Sequence, residues 1–183
     1  MRGKPFISYY DQALKLLSNR PHAEKELRQK LSILSRKRSN RRIYKKHVQE
    51  SHPNMGFSSV FVNEASPDDD KEEIESAITK LKEEGYLNDK QFAEWYCLQR
   101  QDYNPRSQRV LYLELITKGV SPSIAKEIIH DYHCEEECCK SVALRKVGCM
   151  SHNKLVTYLL GKGFAMDTIK KTLKTLPDFS QDC

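Results

Sequence analysis

A repeat with a fixed spacing of 44 residues constrains the fold of this chain more than any other feature of its sequence. Lys118 and Gly119 recur as Lys162 and Gly163, and apolar residues on both sides recur at the same spacing. A period of this length is typical of stacked helical repeats, since one repeat alone cannot bury its apolar face. The sequence therefore predicts an all-α array, a class that mostly serves as a binding surface. The matching apolar pairs are Leu111 and Leu155, Leu115 and Leu159, Ile116 and Leu160, Ala125 and Ile169, and Ile129 and Leu173.

A further copy of the repeat lies at the front of the chain, where an insertion divides it. Leu27 and Leu31 have the spacing of Leu111 and Leu115, and a second pair, Ile74 and Ile78, follows. Leu31 and Ile74 are 43 positions apart, whereas the corresponding residues of the other two copies are 10 apart. About 33 residues have therefore been inserted into the first copy.

Each copy is preceded by a similar helix, aligned on Ala13, Ala93 and Cys139. Core candidates follow three and four residues later in every copy, and a base follows seven residues later. We therefore predict three tandem three-helix repeats that form a curved, elongated array. Repeat 1 is placed at residues 6–86, repeat 2 at residues 87–133 and repeat 3 at residues 134–176.

Glycine and proline mark the predicted helix ends. Glycine accepts the left-handed conformation that often follows a helix, and proline fits the first turn, where an N–H group has no partner. Ser121 followed by Pro122 predicts the start of a helix, and Asn104 followed by Pro105 predicts another. The one strand signal is Phe57–Val62. The glycines expected to end helices are Gly85, Gly119 and Gly163.

Residues 35–70, inside repeat 1, form the insertion, and we predict a disordered loop there. Seven Lys and Arg residues and no acidic residue lie between Arg36 and Lys46. Blocks of like charge bury too little apolar surface to offset the entropy of ordering. Three roles stay open for the basic block: a DNA tether, a nuclear localisation signal, or a solvated loop without function.

The net charge of +6 is unevenly distributed. Residues 1–67 hold 14 Lys and Arg against 5 Asp and Glu, a balance of +9, and residues 68–183 hold 17 against 20, a balance of −3. Such a skew favours a polyanionic partner such as nucleic acid. The six cysteines lack a disulfide framework spacing, and we expect reduced thiols in an intracellular protein. No apolar stretch approaches the 18 or so residues of a membrane span, so no membrane contact is predicted.

Arg20, Arg100 and Lys146 occupy the recurring base position. Bases near helix C-termini interact favourably with the helix dipole, by about 0.3–1 kcal/mol each. Alternatively, they form a row of positive charge that binds a partner, and the two interpretations are compatible. Further candidate contacts with a partner or with DNA are Arg28, Lys30, Arg106, Arg109, Lys118, Lys154 and Lys162.

Four residues, His130, His133, Cys134 and Cys138, fall at helical spacings on one face and are candidate zinc ligands. No pair of cysteines is separated by two residues, and Cys97 and Cys139 occupy core positions of the repeat, which favours buried structural thiols. We therefore predict no metal and no cofactor. The sequence also shows no phosphate-cradling glycine loop, nucleophile elbow or paired carboxylates, so no catalytic residue is predicted.

A set of stretches keeps a characteristic order and spacing along the chain: Ala13–His22, Glu26–Leu31, Gly85–Asp89, Phe92–Ala93, Glu114–Leu115, Lys118–Val120, Leu159 and Lys162–Phe164. Taken together, these stretches resemble the RecX family, regulators of the RecA recombinase. The resemblance implies three helical repeats curved into an arc, which bind in the groove of the RecA–DNA filament and restrain its ATPase and strand exchange without being enzymes.

The sequence departs from the family pattern at a few positions. The insertion replaces the usual turn after the second helix, Asn104 stands where a glycine precedes the proline, and Val110 stands where a base is usual. These changes bear on which recombinase is bound, and on whether the protein acts in the cytoplasm, in a nucleus or in an organelle. We expect a monomer. Two other functions stay open: a nucleic-acid-binding module that needs no recombinase, and a scaffold for protein partners.

Overall fold

The computed structural model describes residues 8–51 and 67–176, and these residues form nine α-helices and no strand. The all-α prediction is therefore confirmed, whereas Phe57–Val62 lies outside the described residues. The helices are α1 (Tyr9–Leu17), α2 (Glu24–Ser51), α3 (Pro67–Glu83), α4 (Asp89–Tyr103), α5 (Gln108–Lys118), α6 (Pro122–Tyr132), α7 (Glu135–Leu144), α8 (His152–Gly161) and α9 (Met166–Lys174).

The chain divides into two compact units, Met1–Asn88 and Asp89–Cys183. In the first compact unit, α1, α2 and α3 all pack on one another. In the second, α6 packs on α4 and α5, and α7, α8 and α9 pack on one another. The extensive helix contacts thus fall within consecutive groups of three, as the repeat pattern predicts. The residue limits of the three repeats stay a prediction.

The core of the first compact unit is built from the apolar positions of repeat 1. The two predicted pairs, Leu27 with Leu31 and Ile74 with Ile78, are buried together with Ala13. Each buried Leu or Ile contributes about 1.5–3 kcal/mol relative to an exposed one. The core is completed by Tyr9, Ala77, Leu81 and Leu87.

The second compact unit buries the residues that recur at the spacing of 44. Cys97 and Cys139 are completely buried, and burial raises the pKa of the Cys97 thiol to about 12. The prediction of buried thiols at these two positions is therefore confirmed. The pair Ile116 and Leu160 is the exception among the repeating apolar residues, since Ile116 is only half-buried and 42% of the surface of Leu160 is exposed. The buried matching residues are Leu111, Leu115, Val120, Ala125, Ile129, Leu155, Leu159, Phe164, Ile169 and Leu173.

The prediction of a disordered insertion is wrong for residues 35–51 and 67–70. Helix α2 continues through Ser51, and α3 begins at Pro67. Lys and Arg are good helix formers, and the guanidinium of Arg38 lies 4.4 Å from the centre of the Tyr9 ring, so the basic block is not wholly solvated. The Ser35 hydroxyl donates a 2.8 Å hydrogen bond to the buried Asp70 and joins α2 to α3. Residues 52–66 lie outside the part of the chain that is described.

Most predicted helix ends are confirmed. Ser121 caps α6 by accepting a hydrogen bond from the N–H of Ile124, and Pro122 occupies the first turn. However, α5 starts at Gln108 and not at Asn104 and Pro105, because the Ser107 hydroxyl caps it by accepting from the N–H of Val110. All three glycines expected to end helices have positive φ angles: Gly85 (76°), Gly119 (100°) and Gly163 (92°).

Gly163 also allows a close approach between α5 and the turn after α8. A Cβ atom at Gly163 would lie 2.4 Å from Cγ2 of Val110 and 2.6 Å from Oγ of Ser107. The N–H of Ser107 donates to the carbonyl of Lys162 at 3.4 Å. The second compact unit therefore requires glycine here for space as well as for backbone conformation.

Candidate functional site

The recurring base reaches from the end of the first helix of each repeat to the second helix. Arg20 forms an ion pair with Glu26 on α2, and Arg100 pairs with Glu114 on α5 at 2.8 Å. Lys146 pairs with no acid in the described part of the chain, and its Nζ lies 5.8 Å from the centre of the Tyr158 ring on α8. The three bases therefore share a structural role, but their charges are compensated differently.

In repeat 1, Arg20 and Lys30 converge on Glu26. Lys30 Nζ lies 3.4 Å from the Glu26 carboxylate and 2.7 Å from Nε2 of the buried His22. Because an ammonium only donates hydrogen bonds, Nε2 accepts and Nδ1 carries the proton that is donated to the Arg20 carbonyl at 2.8 Å. Burial lowers the pKa of His22, which favours this neutral form. Two of the predicted binding residues thus share one acid and one buried imidazole.

Arg28 joins α2 to α3. Its guanidinium donates two 2.8 Å hydrogen bonds to the Glu75 carboxylate, and it lies 3.0 Å from Glu24. Lys82 also pairs with Glu24, at 2.8 Å. The bond with Arg28 lowers the pKa of Glu75, and the bond with Lys82 lowers that of Glu24. Arg28 is therefore part of an intramolecular network of two bases and two acids.

In repeat 2, two predicted bases lie over the Tyr96 ring. The Arg100 guanidinium is 5.1 Å from the ring centre, and Lys118 Nζ is 5.3 Å from it. Tyr96 is buried, as predicted for a core residue, but its hydroxyl donates to Glu114 at 2.8 Å and accepts from Arg100 at 2.7 Å. Burial and Glu114 raise the pKa of Tyr96. Glu114 thus compensates one of the two positive charges.

In repeat 3, the corresponding arrangement includes no acid among the described residues. Lys146 and Lys162 lie 5.8 Å and 5.3 Å from the centre of the Tyr158 ring, and Lys162 donates to the Asn104 side chain at 2.8 Å. Within the described ranges, neither lysine forms an ion pair. Tyr158 stands 44 residues after Glu114, at the same position of the repeat. With a tyrosine in place of the acid, the positive charges of Lys146 and Lys162 have no acidic partner among the residues that the structure describes.

The remaining predicted contacts lie outside these clusters. Arg109 and Lys154 are exposed and form no ion pair in the part of the chain that is described. Arg106 is half-buried, and its carbonyl accepts a 2.8 Å hydrogen bond from Nε2 of the buried His133. The side-chain Nε of Arg106 is itself buried and has no partner among the described atoms.

The sequence prediction missed the residues that decide which bases are compensated, namely Glu26, Glu114 and Tyr158. A signal existed for two of them, because Glu114 and Tyr158 align at the spacing of 44 and differ in charge. For Glu26 there was none, since the length of the turn that brings it to Arg20 does not recur in the other repeats.

The residues weighed as zinc ligands do not converge on one point. His130 is exposed and pairs with Asp131, whereas His133 is buried against Arg106. Among the residues described, no group of three or more potential ligands could hold a metal ion. The same residues include no helix that is long and apolar enough to cross a membrane.

The fold, with bases grouped in each of its three repeats, defines a helical-repeat protein. Residues 10–32 match the model of a protein family described as "RecX, first three-helix domain". The chain is 33% identical to Regulatory protein RecX of Prosthecochloris aestuarii over 111 residues, which span 57% of this chain and 73% of the relative. The chain belongs to the RecX family.

Other relatives agree with this assignment. Regulatory protein RecX of Chlorobium phaeobacteroides is 29% identical over 55% of this chain and 70% of its own length. The match to Regulatory protein RecX of Bacillus cytotoxicus, also 29% identical, covers 60% of this chain and 44% of that longer relative. The crystal structure of RecX from Lactobacillus salivarius superposes with a TM-score of 0.59 at 23% identity, covering 91% of this chain and 92% of that one, and shows the same fold.

Proposed function

We propose that this protein is a non-enzymatic regulator that binds a RecA-type recombinase filament on DNA and inhibits its ATPase and strand exchange. The observation that carries the proposal is membership of the RecX family, whose relatives bear the name "Regulatory protein". The action on the recombinase comes from the family resemblance of the repeat residues. The protein acts as a monomer, needs no cofactor, and works in the cytoplasm, or in the nucleus or organelle that holds the recombinase.

Electrostatics support a partner of negative charge. The chain carries a formal charge of +6, and exposed bases of the second compact unit, such as Arg109 and Lys154, lack acids to compensate them within the described segments. A filament assembled on DNA presents phosphates and acidic protein surfaces, and both attract such a molecule over distances of about 8–10 Å at physiological salt. Binding of the proposed kind should therefore weaken as salt is raised.

The test is an ATPase assay with purified bacterial RecA assembled on single-stranded DNA, with and without this protein. We expect inhibition at less than one protein per recombinase subunit, since a regulator that sits on a filament affects several subunits. An unchanged ATPase rate at equimolar protein would overturn the proposal. In that case, salt-sensitive binding to naked DNA would identify a stand-alone nucleic-acid-binding module, and its absence would leave a protein scaffold.

A further inference from the structure

Repeats 2 and 3 each hold two bases over one tyrosine ring, and the bases occupy corresponding positions. Among the described residues, an acid pairs with one of these bases in repeat 2 but with neither in repeat 3. Lys118 and Lys162 occupy one position of the repeat, and Arg100 and Lys146 occupy another. In repeat 2 the Glu114 carboxylate lies 2.8 Å from Arg100. In repeat 3 the side chain at that position is Tyr158, which is itself the ring that both lysines contact. The third repeat thus keeps the two positive charges and lacks the carboxylate.

An anion bound to Lys146 would take the role that Glu114 has beside Arg100 in repeat 2, and Lys162 over the same ring adds a second positive charge. Two ammonium groups next to one ring repel each other, and this repulsion is relieved when a negative group binds both. Lysine binds phosphate well as a point charge, whereas arginine is favoured where a carboxylate is bound through two parallel hydrogen bonds. Bases combined with an aromatic side chain are also typical of surfaces that bind single-stranded nucleic acid.

We propose that Lys146, Lys162 and Tyr158 form a binding site for a backbone phosphate of single-stranded DNA. The inference rests on the proposed function, in that the strand is the one on which the filament assembles, and it assigns this DNA contact to repeat 3. The two ammonium groups neutralise the phosphate, and the Tyr158 hydroxyl supplies a further hydrogen-bond donor. Asn104, which accepts from Lys162, positions that lysine from the neighbouring repeat.

The test measures binding of a fluorescein-labelled oligothymidylate to the full chain by anisotropy, without any recombinase. We expect the double variant Lys146→Gln, Lys162→Gln to bind roughly tenfold more weakly, which corresponds to the loss of one charge-assisted contact. The slope of log affinity against log salt should fall by about 0.7 for each phosphate no longer neutralised. Circular dichroism melting establishes that the double variant is folded. If loss of the hydrogen bond from Lys162 to Asn104 weakens the fold, the single variant Lys146→Gln replaces it in the binding measurement.

A charge-matched control removes two other lysines of repeat 3. Lys140 on α7 and Lys170 on α9 are exposed and form no ion pair within the described helices. The variant Lys140→Gln, Lys170→Gln therefore lowers the net charge equally and should retain most of the affinity. Equal losses in the two double variants would mean that net charge alone matters and would overturn the site. The proposed site would also be overturned if the variant Lys146→Gln, Lys162→Gln kept its DNA binding but lost binding of polyglutamate. The two lysines would then bind carboxylates and not a DNA phosphate.

The repeat offers a reciprocal test. Tyr158→Glu introduces the acid of repeat 2 and should weaken DNA binding more than Tyr158→Phe does. Glu114→Gln removes the acid that compensates Arg100 and should strengthen DNA binding. The control is Glu137→Gln, which removes an exposed acid on α7. It changes the net charge equally and should have a smaller effect on DNA binding. These measurements use naked DNA, so their failure is distinct from a failure of recombinase inhibition in the ATPase assay.

Discussion

Gly163 illustrates how one residue satisfies two independent requirements. Its φ angle of 92° lies in the left-handed region, which ends α8, and its missing side chain admits Val110 and Ser107 from α5. Gly148 has a similar φ of 79° but no atom within 4 Å of a Cβ built there. Gly148 therefore shows the backbone requirement alone, whereas Gly163 combines it with a steric one.

We predict that Gly163→Ala destabilises the second compact unit more than Gly148→Ala does. Both substitutions incur the left-handed conformation, which costs about 1–2 kcal/mol for a residue with a Cβ atom. Gly163→Ala should add about 1–3 kcal/mol, because the new methyl group overlaps a valine side chain and a capping serine. Urea unfolding followed by fluorescence of Trp95, the single tryptophan of the chain, measures both variants in this unit. Equal losses would contradict the close approach at Gly163.

The backbone requirement at Gly163 could be predicted from the sequence, but the steric one could not. A glycine after an apolar helix and a lysine indicates a helix end by itself, and its recurrence as Gly119 strengthened that interpretation. The contact with Val110 depends on how two repeats pack together, and the spacing of residues within a repeat carries no information about it. Compensation of the recurring bases was missed for a related reason, since a glutamate on a helix surface is common and its partner depends on the turn between helices.

At the scale of elements, α2 shows where reasoning from charge alone fails. Its second half carries the basic block, which predicted disorder, yet the helix continues through Ser51. Lys and Arg lose little rotamer freedom in a helix, so repulsion between neighbours competes with a favourable intrinsic propensity. Stacking of Arg38 on Tyr9 and the bond from Ser35 to Asp70 add tertiary contacts at the start of this segment. The apolar periodicity of the other helices gave a clearer signal, because it reports burial directly.

The turn between α1 and α2 should make the first compact unit sensitive to mild acid. Burial lowers the pKa of His22 below the ordinary value of about 6.5, and the charges of Arg20 and Lys30 add to this effect. The hydrogen bond to the Arg20 carbonyl and the charge of Glu26 oppose it without cancelling it. Below pH 6.5 the unfolded chain takes up a proton at His22 that the folded chain does not. The free energy of unfolding therefore falls as the pH drops, by at most about 1.4 kcal/mol per unit, until the folded pKa is reached.

The measurement is urea unfolding by circular dichroism between pH 7.5 and 5.5, compared for the natural chain and His22→Gln. The variant should be less stable at pH 7.5, because the bond to Lys30 is lost, but its stability should depend less on pH. His130→Gln is the control, because it removes an exposed imidazole of the second compact unit, away from the turn between α1 and α2. Glu24 and Glu75, whose pKa values are lowered, lose their contribution only below about pH 4.5, outside this window. A pH dependence that survives in His22→Gln would contradict the role of this residue.

At the scale of the whole molecule, the formal net charge and the bases that lack an ion pair are distributed differently along the chain. The first 67 residues carry a balance of +9 and the rest −3, which predicts that the front of the chain binds the anionic partner. However, Arg20, Arg28 and Lys30 all form ion pairs with glutamates of the first compact unit. A base that already has a carboxylate partner must exchange it for a phosphate, so the gain in binding free energy is smaller. Arg109 and Lys154 of the second compact unit are exposed and form no ion pair with any described residue, so they need no such exchange.

We therefore predict that neutralising three bases without an ion pair among the described residues weakens the proposed inhibition of the RecA ATPase more than neutralising three ion-paired bases does. The first variant is Arg109→Gln, Lys146→Gln, Lys154→Gln, and the charge-matched second variant is Arg20→Gln, Arg28→Gln, Lys30→Gln. Both lower the net charge by the same amount, and loss of partly exposed ion pairs should cost the second variant only about 0–1 kcal/mol of stability per pair. The concentration that half-inhibits the RecA ATPase, measured at two salt concentrations, compares them.

We expect the first variant to require more protein for inhibition and to show the weaker salt dependence, since it has lost contacts that release counterions. The second variant should stay near the natural chain once its melting temperature shows that it is folded. The opposite ranking would mean that the glutamates Glu24, Glu26 and Glu75 hold the bases of repeat 1 in place for the partner. The ion pairs of that repeat would then preorganise a binding surface, and the front third of the chain would be the principal contact with the filament, as its formal charge alone predicts.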